Sequence, residues 1–409
     1  MNRTQLHRKY AEIIIKTAIN QQEGKPLLIW TEIVQKEFVR ELVRIGYENG
    51  ASLVSVKYSD SALGRMRLDG VRKEEYLDFV PSYMENMYES YLSDSWSSIS
   101  LRGPENPDIM EGADSRRLGR ARKANSLVRQ DFLKGVSANR IAWNVCLYPT
   151  EAWAAKVLGD SVNWEERIWD ILAPILRLDR DDPAKAWLDH DAELKRRSEH
   201  MNRVRYDMIH FTGPGTDLLV GMAPNRVFAG GRCFNQSGIV FFPNIPTEEI
   251  FSTPDFERTE GTVRTTRPVE VLGSQVEGAW FRFKEGKIVE YGADRNEAVL
   301  DQYLQFDEGA KALGEVALVD VNSPIYRSGK IFQNILFDEN ASCHIALGNG
   351  YADCIENGTR MSDEELKATK CNSSLVHTDF MIGSEEVSVF GVRKDGSKDR
   401  IIENGVFVI

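Results

Sequence analysis

Two of the six histidines in this chain stand beside carboxylates in segments of β character. His377 and Asp379 are two positions apart, so an extended backbone would project both side chains from one face of a strand. Neutral imidazole and carboxylate are both good ligands for a borderline divalent metal such as zinc or cobalt. An aspartate that orients a core histidine, or a surface salt bridge, would show the same spacing. This motif alone therefore leaves a metal site and a structural pair open.

A second imidazole, that of His344, follows Glu339 in the segment from Asp338 to Gly348. An interval of five residues does not fit one strand face, so we expect Glu339 in a turn before a strand that carries His344. In that strand His344 and Ala346 share a face, and the small alanine leaves room for an ion beside the imidazole. A hydrogen-bonded core histidine is the alternative for this segment.

Further carboxylates lie at positions where their charge needs solvent, an ion pair or a metal. Glu315 lies in the apolar run Leu313–Val319, where its charge must be solvated, paired or bound to a metal. Glu248 and Glu249 follow the proline turn at Pro246, where spacing does not choose between them and a solvated loop carboxylate is the alternative. Two histidines and four acids would suffice for a pair of ions held by bridging carboxylates. This candidate set is Glu249, Glu315, Glu339, His344, His377 and Asp379.

The elements that must position these residues differ between the two halves of the chain. An amphipathic helix, an apolar run at 27–30, a helix that ends near Gly46 and a second apolar run at 53–56 predict a β-α-β unit and a parallel sheet. No phosphate-binding glycine motif follows these strands, so we do not expect nucleotide binding. A shift in composition near residue 183 predicts an α/β N-terminal domain, 1–183, and a β-rich α+β C-terminal domain, 184–409.

Composition narrows the classes of protein and partner. The 409 residues include 62 acidic and 51 basic side chains, and the formal charge of −11 disfavours a nucleic-acid partner. The five cysteines form no CxxC pair, which predicts reduced thiols. Glu12 and Lys16 interrupt the N-terminal apolar run, and no apolar stretch of 18 residues follows. We therefore expect a cytoplasmic protein without a membrane partner.

The segments around the candidate ligands resemble the signature blocks of the M29 metallopeptidases, the group of aminopeptidases T, S and PepS. The blocks occur in the order found in that family, and the resemblance extends to the segment Arg267-Pro268. The chain length and the β-α-β opening also fit, so the resemblance covers essentially the whole chain. The four blocks lie at 246–254, 313–319, 338–348 and 377–383.

The resemblance implies a catalytic C-terminal domain that holds two divalent ions, zinc or cobalt, with manganese and magnesium as further candidates. It implies that the N-terminal domain is a scaffold and a wall of an internal cavity in a homodimer. The six candidate residues become metal ligands, with Glu339 assigned to the second ion. Tyr351 matches a tyrosine near the metals, where its phenol would hydrogen-bond the oxyanion formed at the scissile carbonyl. Without the resemblance, Tyr351 would be taken for a packed loop aromatic.

The function predicted on this basis is that of a metallo-aminopeptidase of the EC 3.4.11 class. Its partners would be peptides with a free N-terminus, from which a water activated by the two ions releases N-terminal residues. Two alternatives stay open: a non-catalytic β-rich binding protein with a structural metal, and a metal-dependent amidohydrolase of non-peptide substrates. The sequence leaves open the preferred N-terminal residue, the physiological metal, the limit on peptide length and the carboxylate that shuttles the proton.

Overall fold

The computed structural model describes residues 3–409 and divides into two compact units. The first comprises Met1–Trp187 and Arg232–Ile245, and the second comprises Leu188–Gly231 and Pro246–Ile409. The composition predicts one boundary after residue 183, whereas the chain returns to the first unit at Arg232–Ile245. The strand that joins this returning segment to the first sheet is only two residues long. Such a short strand has no periodicity from which it could be predicted.

The elements are numbered in chain order. The α-helices are α1 (Arg3–Glu12), α2 (Lys36–Glu48), α3 (Ser61–Gly70), α4 (Tyr83–Ser93), α5 (Ser115–Ser137), α6 (Glu151–Leu158), α7 (Trp164–Ile175), α8 (Pro183–Val204), α9 (Glu297–Leu304), α10 (Pro324–Arg327), α11 (Ile335–Asp338) and α12 (Asp363–Ala368). The strands are β1 (Leu27–Glu32), β2 (Val54–Ser59), β3 (Ser97–Arg102), β4 (Trp143–Leu147), β5 (Met208–Gly213), β6 (Thr216–Met222), β7 (Cys233–Phe234), β8 (Val240–Phe241), β9 (Asn244–Ile245), β10 (Glu249–Ser252), β11 (Pro254–Arg264), β12 (Val269–Val271), β13 (Ser274–Val276), β14 (Trp280–Lys284), β15 (Lys287–Gly292), β16 (Leu313–Val319), β17 (His344–Gly348), β18 (His377–Met381), β19 (Ser388–Val392), β20 (Lys398–Glu403) and β21 (Val406–Phe407).

The first unit is built on a parallel five-stranded sheet in the order β2-β1-β3-β4-β9. The central strand β1 contributes Leu27, Leu28 and Ile29, all fully buried, as expected for a strand that is covered on both faces. Helix α2 connects β1 to the parallel β2, which is the β-α-β unit expected from the sequence. This unit therefore has the α/β character that the apolar runs indicate.

The second unit contains a four-stranded sheet, β10-β16-β17-β18, and an eight-stranded sheet, β15-β14-β11-β6-β5-β19-β20-β21. Neighbouring strands in both sheets are antiparallel. Both sheets contribute to one hydrophobic core, in which Ile345 and Phe380 of the small sheet join Phe211 and Val389 of the large one. The small sheet thus has one apolar face in the core, and its other face is available for polar residues.

The long helices carry many charged side chains. Helix α5 has 23 residues and is strongly basic, and its Arg120 Nε lies 2.6 Å from a carboxylate oxygen of Asp78. Helix α8 has 22 residues with both signs of charge. Within residues 3–409, no helix combines the length and the apolar character that a bilayer crossing requires.

An aromatic cluster in the first unit surrounds His7. Its ring centroid lies 6.1 Å from that of Phe38, 5.4 Å from that of Tyr148 and 5.5 Å from that of Trp169. The Tyr148 hydroxyl lies 3.2 Å from His7 Nε2. Burial, together with the charge of Arg3, lowers the pKa of His7 to about 4. The imidazole is therefore neutral at neutral pH and must stay neutral for this cluster to pack.

We expect the first unit to lose stability as the pH falls from 6.5 towards 4, because the unfolded chain binds a proton there that the folded imidazole does not. The loss due to this one residue between pH 7 and pH 5 is about 2 kcal/mol. Urea unfolding followed by tryptophan fluorescence at pH 7, 6 and 5 measures it. His7→Gln should flatten the pH dependence. Equal pH slopes for His7→Gln and the wild type would contradict this assignment.

Candidate metal centre

The register of the four-stranded sheet brings the predicted ligands to one face. Glu315 on β16, Ala346 on β17 and Asp379 on β18 lie directly opposite one another. Opposed residues of antiparallel strands project to the same side, and residues two positions along a strand share it. His344 and His377 therefore join this face. The small Ala346 between the two carboxylates leaves open space above the middle of the sheet.

The edge strand β10 adds a fifth ligand candidate. The opposite face of the four-stranded sheet packs into the hydrophobic core. Glu249 pairs with Val319, which is four positions along β16 from Glu315 and so projects to the same side. The intervening residues Ile345 and Leu347 of β17 are fully buried in the core of the unit. Alternation along the strands therefore separates a polar face from an apolar one.

Two glycines allow the backbones around the site to approach closely. The pairing of β16 with β17 shifts register next to Gly314, where an added Cβ would lie 2.2 Å from the carbonyl oxygen of Asn349. Gly348 lies opposite His377 with φ of +109°, and a Cβ there would lie 2.0 Å from the carbonyl oxygen of Val376. No side chain fits at either position without moving the strands that carry the ligands.

Backbone carbonyls orient both imidazoles. Nδ1 of His344 lies 3.2 Å from the carbonyl oxygen of Ser342, and Nδ1 of His377 lies 2.7 Å from that of Asn349. A carbonyl accepts only, so each ring carries its proton on Nδ1 when neutral and presents the Nε2 lone pair to the site. This is the arrangement in which protein imidazoles ligate metals.

The donor atoms form two groups that share one carboxylate. Glu249, Glu315 and His344 form the first group, and Glu315, His377 and Asp379 form the second, with the donor atoms of each within 4.8 Å of one another. His344 Nε2 lies 3.2 Å from Glu249 Oε2. His377 Nε2 lies 3.3 Å from Glu315 Oε2 and 3.2 Å from Asp379 Oδ1. Glu315 is thus placed to bridge two cations.

The charges of this face perturb one another. Burial raises the pKa of Glu315 to about 7, against the hydrogen bond from His377. Burial lowers the pKa of His344, but the adjacent carboxylate of Glu249 outweighs burial and raises the value to about 10. Burial raises the pKa of Asp379, and the charge of His377 outweighs this and leaves it below the ordinary value. In the absence of a cation, the imidazoles hold protons that offset the carboxylates.

Glu339 lies beside these groups. It occupies the turn between α11 and β17, as expected from its spacing to His344. Asn340 Nδ2 donates to Glu339 Oε1 at 3.3 Å. Burial and the charges of Glu249 and Asp379 raise the pKa of Glu339 well above its ordinary value. Its carboxylate is therefore close enough to interact electrostatically with the other candidate ligands, although it belongs to neither three-residue group.

The structure distinguishes the two consecutive glutamates that spacing could not. Glu249 begins β10 and faces the other candidate ligands. Oε2 of Glu248 lies 3.4 Å from Nε2 of His190, and its backbone N–H donates to Asn340 Oδ1 at 2.6 Å. Glu248 therefore helps to anchor the turn of Glu339 and projects away from the two ligand groups.

Tyr351 lies at the more accessible end of the site. Its hydroxyl lies 3.2 Å from His377 Nε2, and its side chain is partly exposed. The hydroxyl of Thr253 fixes its backbone, accepting from its N–H and donating to its carbonyl, both at 3.1 Å. Burial and the charges of Glu315 and Asp379 raise the pKa of Tyr351 well above its ordinary value. The phenol therefore remains a proton donor at neutral pH.

The residues present fit divalent cations. Oε2 of Glu249 is buried and makes no hydrogen bond, despite its short distance to His344. A cation would satisfy this oxygen together with the Nε2 lone pairs that the backbone carbonyls aim into the site. Imidazole nitrogen and carboxylate oxygen are a donor set suited to zinc, cobalt and manganese.

Sequence patterns did not indicate the residues that orient the candidate ligands. Asn340, Asn349 and Thr253 act through an amide, a backbone carbonyl and a hydroxyl that contact segments distant along the chain. A backbone carbonyl carries no side-chain signature, so no sequence pattern marks Asn349. The Asn340 amide is visible only as a polar residue beside Glu339, which is a weak signal.

Comparison with known proteins identifies the family. The sequence profile described as "Thermophilic metalloprotease (M29)" matches residues 3–407. The chain belongs to the M29 family of metalloproteases. The resemblance noted from the sequence blocks is thereby confirmed, and this membership implies a divalent metal cofactor for the M29 peptidase described here.

Relatives match this M29 peptidase over nearly its full length. "Aminopeptidase T" of Thermus aquaticus is 38% identical over 98% of both chains. "Aminopeptidase 2" of Geobacillus stearothermophilus is 37% identical over 97% of this chain and 96% of the relative. The solved structure of wild-type AmpT from Thermus thermophilus superposes with a TM-score of 0.92 at 35% identity, covering 99% of this chain and 100% of that one. The α/β character of the fold is consistent with this match.

We expect metal binding to release protons and to strengthen as the pH rises from 6 to 9. The metal-free imidazole of His344 has a pKa of about 10, so an ion must displace its proton. Titration calorimetry with Zn²⁺ in buffers of different ionisation enthalpy counts the protons released, and we expect at least one. His344→Gln should release about one fewer, whereas His200→Gln, outside the site, should match the wild type. Binding without proton release at pH 7 would refute this description of the metal-free site.

Proposed function

We infer that this M29 peptidase is a metal-dependent aminopeptidase that releases N-terminal amino acids from peptides, a hydrolase of the EC 3.4.11 class. The observation that supports this most directly is the single carboxylate, Glu315, shared by two groups of metal-ligating side chains on one buried face. Such sharing is typical of two-metal hydrolases. A non-catalytic protein with a structural ion and an amidohydrolase of non-peptide substrates are not favoured by the family to which the chain belongs.

We further propose two divalent ions per chain, zinc or cobalt, with manganese and magnesium as further candidates. The first ion would be held by Glu249, Glu315 and His344, and the second by Glu315, His377 and Asp379. This assignment is supported by the two groups of donor atoms within 4.8 Å of one another. Glu339 would complete the ligands of the second ion, because its carboxylate lies close enough to Glu249 and Asp379 for their charges to raise its pKa.

When bound, the divalent ions supply Lewis acidity, which polarises the peptide carbonyl and lowers the pKa of water. The residues of the chain supply the rest. The phenol of Tyr351, kept protonated by its surroundings, would donate a hydrogen bond to the oxyanion of the tetrahedral intermediate. The free α-amine of the peptide would ligate one ion or pair with a carboxylate of the site. Proton transfer to the departing amine would fall to whichever of Glu249 and Glu339 is not fully committed to an ion.

We also propose that the protein acts in the cytoplasm as a homodimer whose first unit walls an internal cavity. The support is the resemblance to the M29 signature blocks over the length of the chain. Such an enclosure would admit short unfolded peptides and exclude folded proteins. The formal charge of −11 disfavours a nucleic-acid partner.

Substitution of the shared carboxylate should lower the number of bound ions per chain more than substitution of a ligand that belongs to one group only. Elemental analysis should find two ions per chain in the wild type, about one in His377→Ala, and fewer in Glu315→Gln, because that residue serves both ions. Turnover should fall at least a hundredfold in both variants while far-UV circular dichroism stays unchanged. Glu248→Gln, the neighbouring carboxylate outside the ligand groups, is the matched control and should keep both ions. Wild-type turnover in either ligand variant under saturating metal would refute the assignment.

The enzyme should cleave peptides with a free α-amine and spare their acetylated forms. A free amine can ligate an ion or pair with a carboxylate, and this contact places the first carbonyl at the reacting centre. Acetylation removes both interactions. Mass spectrometry of an unstructured peptide and its N-acetylated twin over time should show stepwise shortening of the first alone. Internal cleavage, or equal rates on the two peptides, would favour a general metal-dependent amidohydrolase.

A further inference from the structure

The candidate ligands differ in their exposure to solvent. The side chains of Glu249, Glu315, His344 and Asp379 are each 8% exposed or less, whereas the side chain of His377 is 22% exposed. Tyr351, whose hydroxyl contacts His377, is 38% exposed. A substrate can therefore approach past the His377 end of β18.

An exposed leucine stands at this entrance. Leu375 is 85% exposed, the highest value among the large hydrophobic residues that the structure describes. It lies two residues before His377, so their Cα atoms are no more than about 7 Å apart. Exposing a leucine forgoes its burial energy without any gain to the fold.

The backbone that carries Leu375 is nevertheless held in place. Its N–H donates to Asp307 Oδ2 at 2.7 Å, and the hydroxyl of Ser374 donates to Asp307 Oδ1 at 2.8 Å. The next residue, Val376, accepts from the N–H of Asn349 at 2.7 Å. Asn349 is also the residue whose carbonyl orients the His377 imidazole. The leucine is thus fixed relative to the ligand that borders the entrance.

A second apolar surface borders the same entrance. The ring of Tyr351 lies with its centroid 4.9 Å from that of His377 and packs edge-on against Phe251, at 5.7 Å between centroids. Phe251 is two positions along β10 from Glu249 and so shares the face of the ligands. The charged centre of the site therefore has an apolar rim.

We propose that Leu375, with the ring of Tyr351, forms the subsite for the side chain of the peptide's N-terminal residue and makes the enzyme prefer large apolar residues there. The inference rests on the proposed aminopeptidase function. The N-terminal side chain branches from the Cα between the α-amine and the scissile carbonyl, both of which the site must hold. Its position is therefore more closely defined than that of any later side chain, and a fixed wall selects best at such a position.

The test compares kcat/KM for the p-nitroanilides of leucine and alanine. The wild type should favour leucine by about 10-fold or more, and Leu375→Ser should bring the ratio to within about twofold of unity. Leu375→Met, which keeps volume and apolar character, should retain the preference. Val289→Ser removes an exposed valine from the edge strand of the other sheet and should retain it as well. Metal content is measured for every variant, so that a lost ion is not taken for lost selectivity.

A binding measurement separates this inference from the proposed function. Calorimetry with free L-leucine and L-alanine on the metal-loaded protein requires no turnover, and the wild type should bind leucine more tightly while Leu375→Ser should not. Leucine-selective binding without turnover of any anilide would support the subsite and overturn the function. Turnover without preference, equal loss on both anilides in Leu375→Ser, or a change of oligomeric state with unchanged selectivity would overturn the subsite. Absence of both turnover and leucine binding would overturn both.

Discussion

Carboxylates crowded on a buried surface repel one another. The second unit holds three of them, with two imidazoles, on one face of a four-stranded sheet, and a fourth, Glu339, lies in the adjoining turn. Their negative charge must be offset by protons or by metal ions. The strands can keep this face polar because the alternate residues, such as Ile345 and Phe380, are buried in the core beneath it. The free energy of burying the apolar face thus maintains a polar face that would not assemble by itself.

Much of this face could be predicted from short stretches of sequence. The period of two in a strand correctly placed His377 with Asp379 and His344 with Ala346, because alternation depends only on neighbouring residues. The same local rule predicted the turn that holds Glu339 and the β-α-β opening of the first unit. The M29 blocks could be recognised because these local patterns occur together in one order.

The rest depends on contacts between distant segments, which no local pattern encodes. The choice between Glu248 and Glu249 depends on the register of β10 against β16. The amide of Asn340 joins the backbone of Glu248 to the carboxylate of Glu339, although the two glutamates lie far apart in the sequence. Arg232–Ile245 returns to the first unit through a two-residue strand, again without a periodic signal. The spacing of side chains along one strand predicts which residues share a face of that strand. It does not predict which distant segments lie beside that face.

The strand order also has a consequence for the folding and the abundance of the protein in a cell. The five proposed ligands of the two groups come from strands β10, β16, β17 and β18, which span the chain from residue 249 to residue 379. A nascent chain therefore presents no complete ion site until nearly all of the second unit has been synthesised and has paired its strands. Since only the folded state then binds the ions tightly, metal supply adds to the stability against unfolding and against degradation by other proteases. A shortage of metal would accordingly reduce the abundance of the enzyme as well as its specific activity.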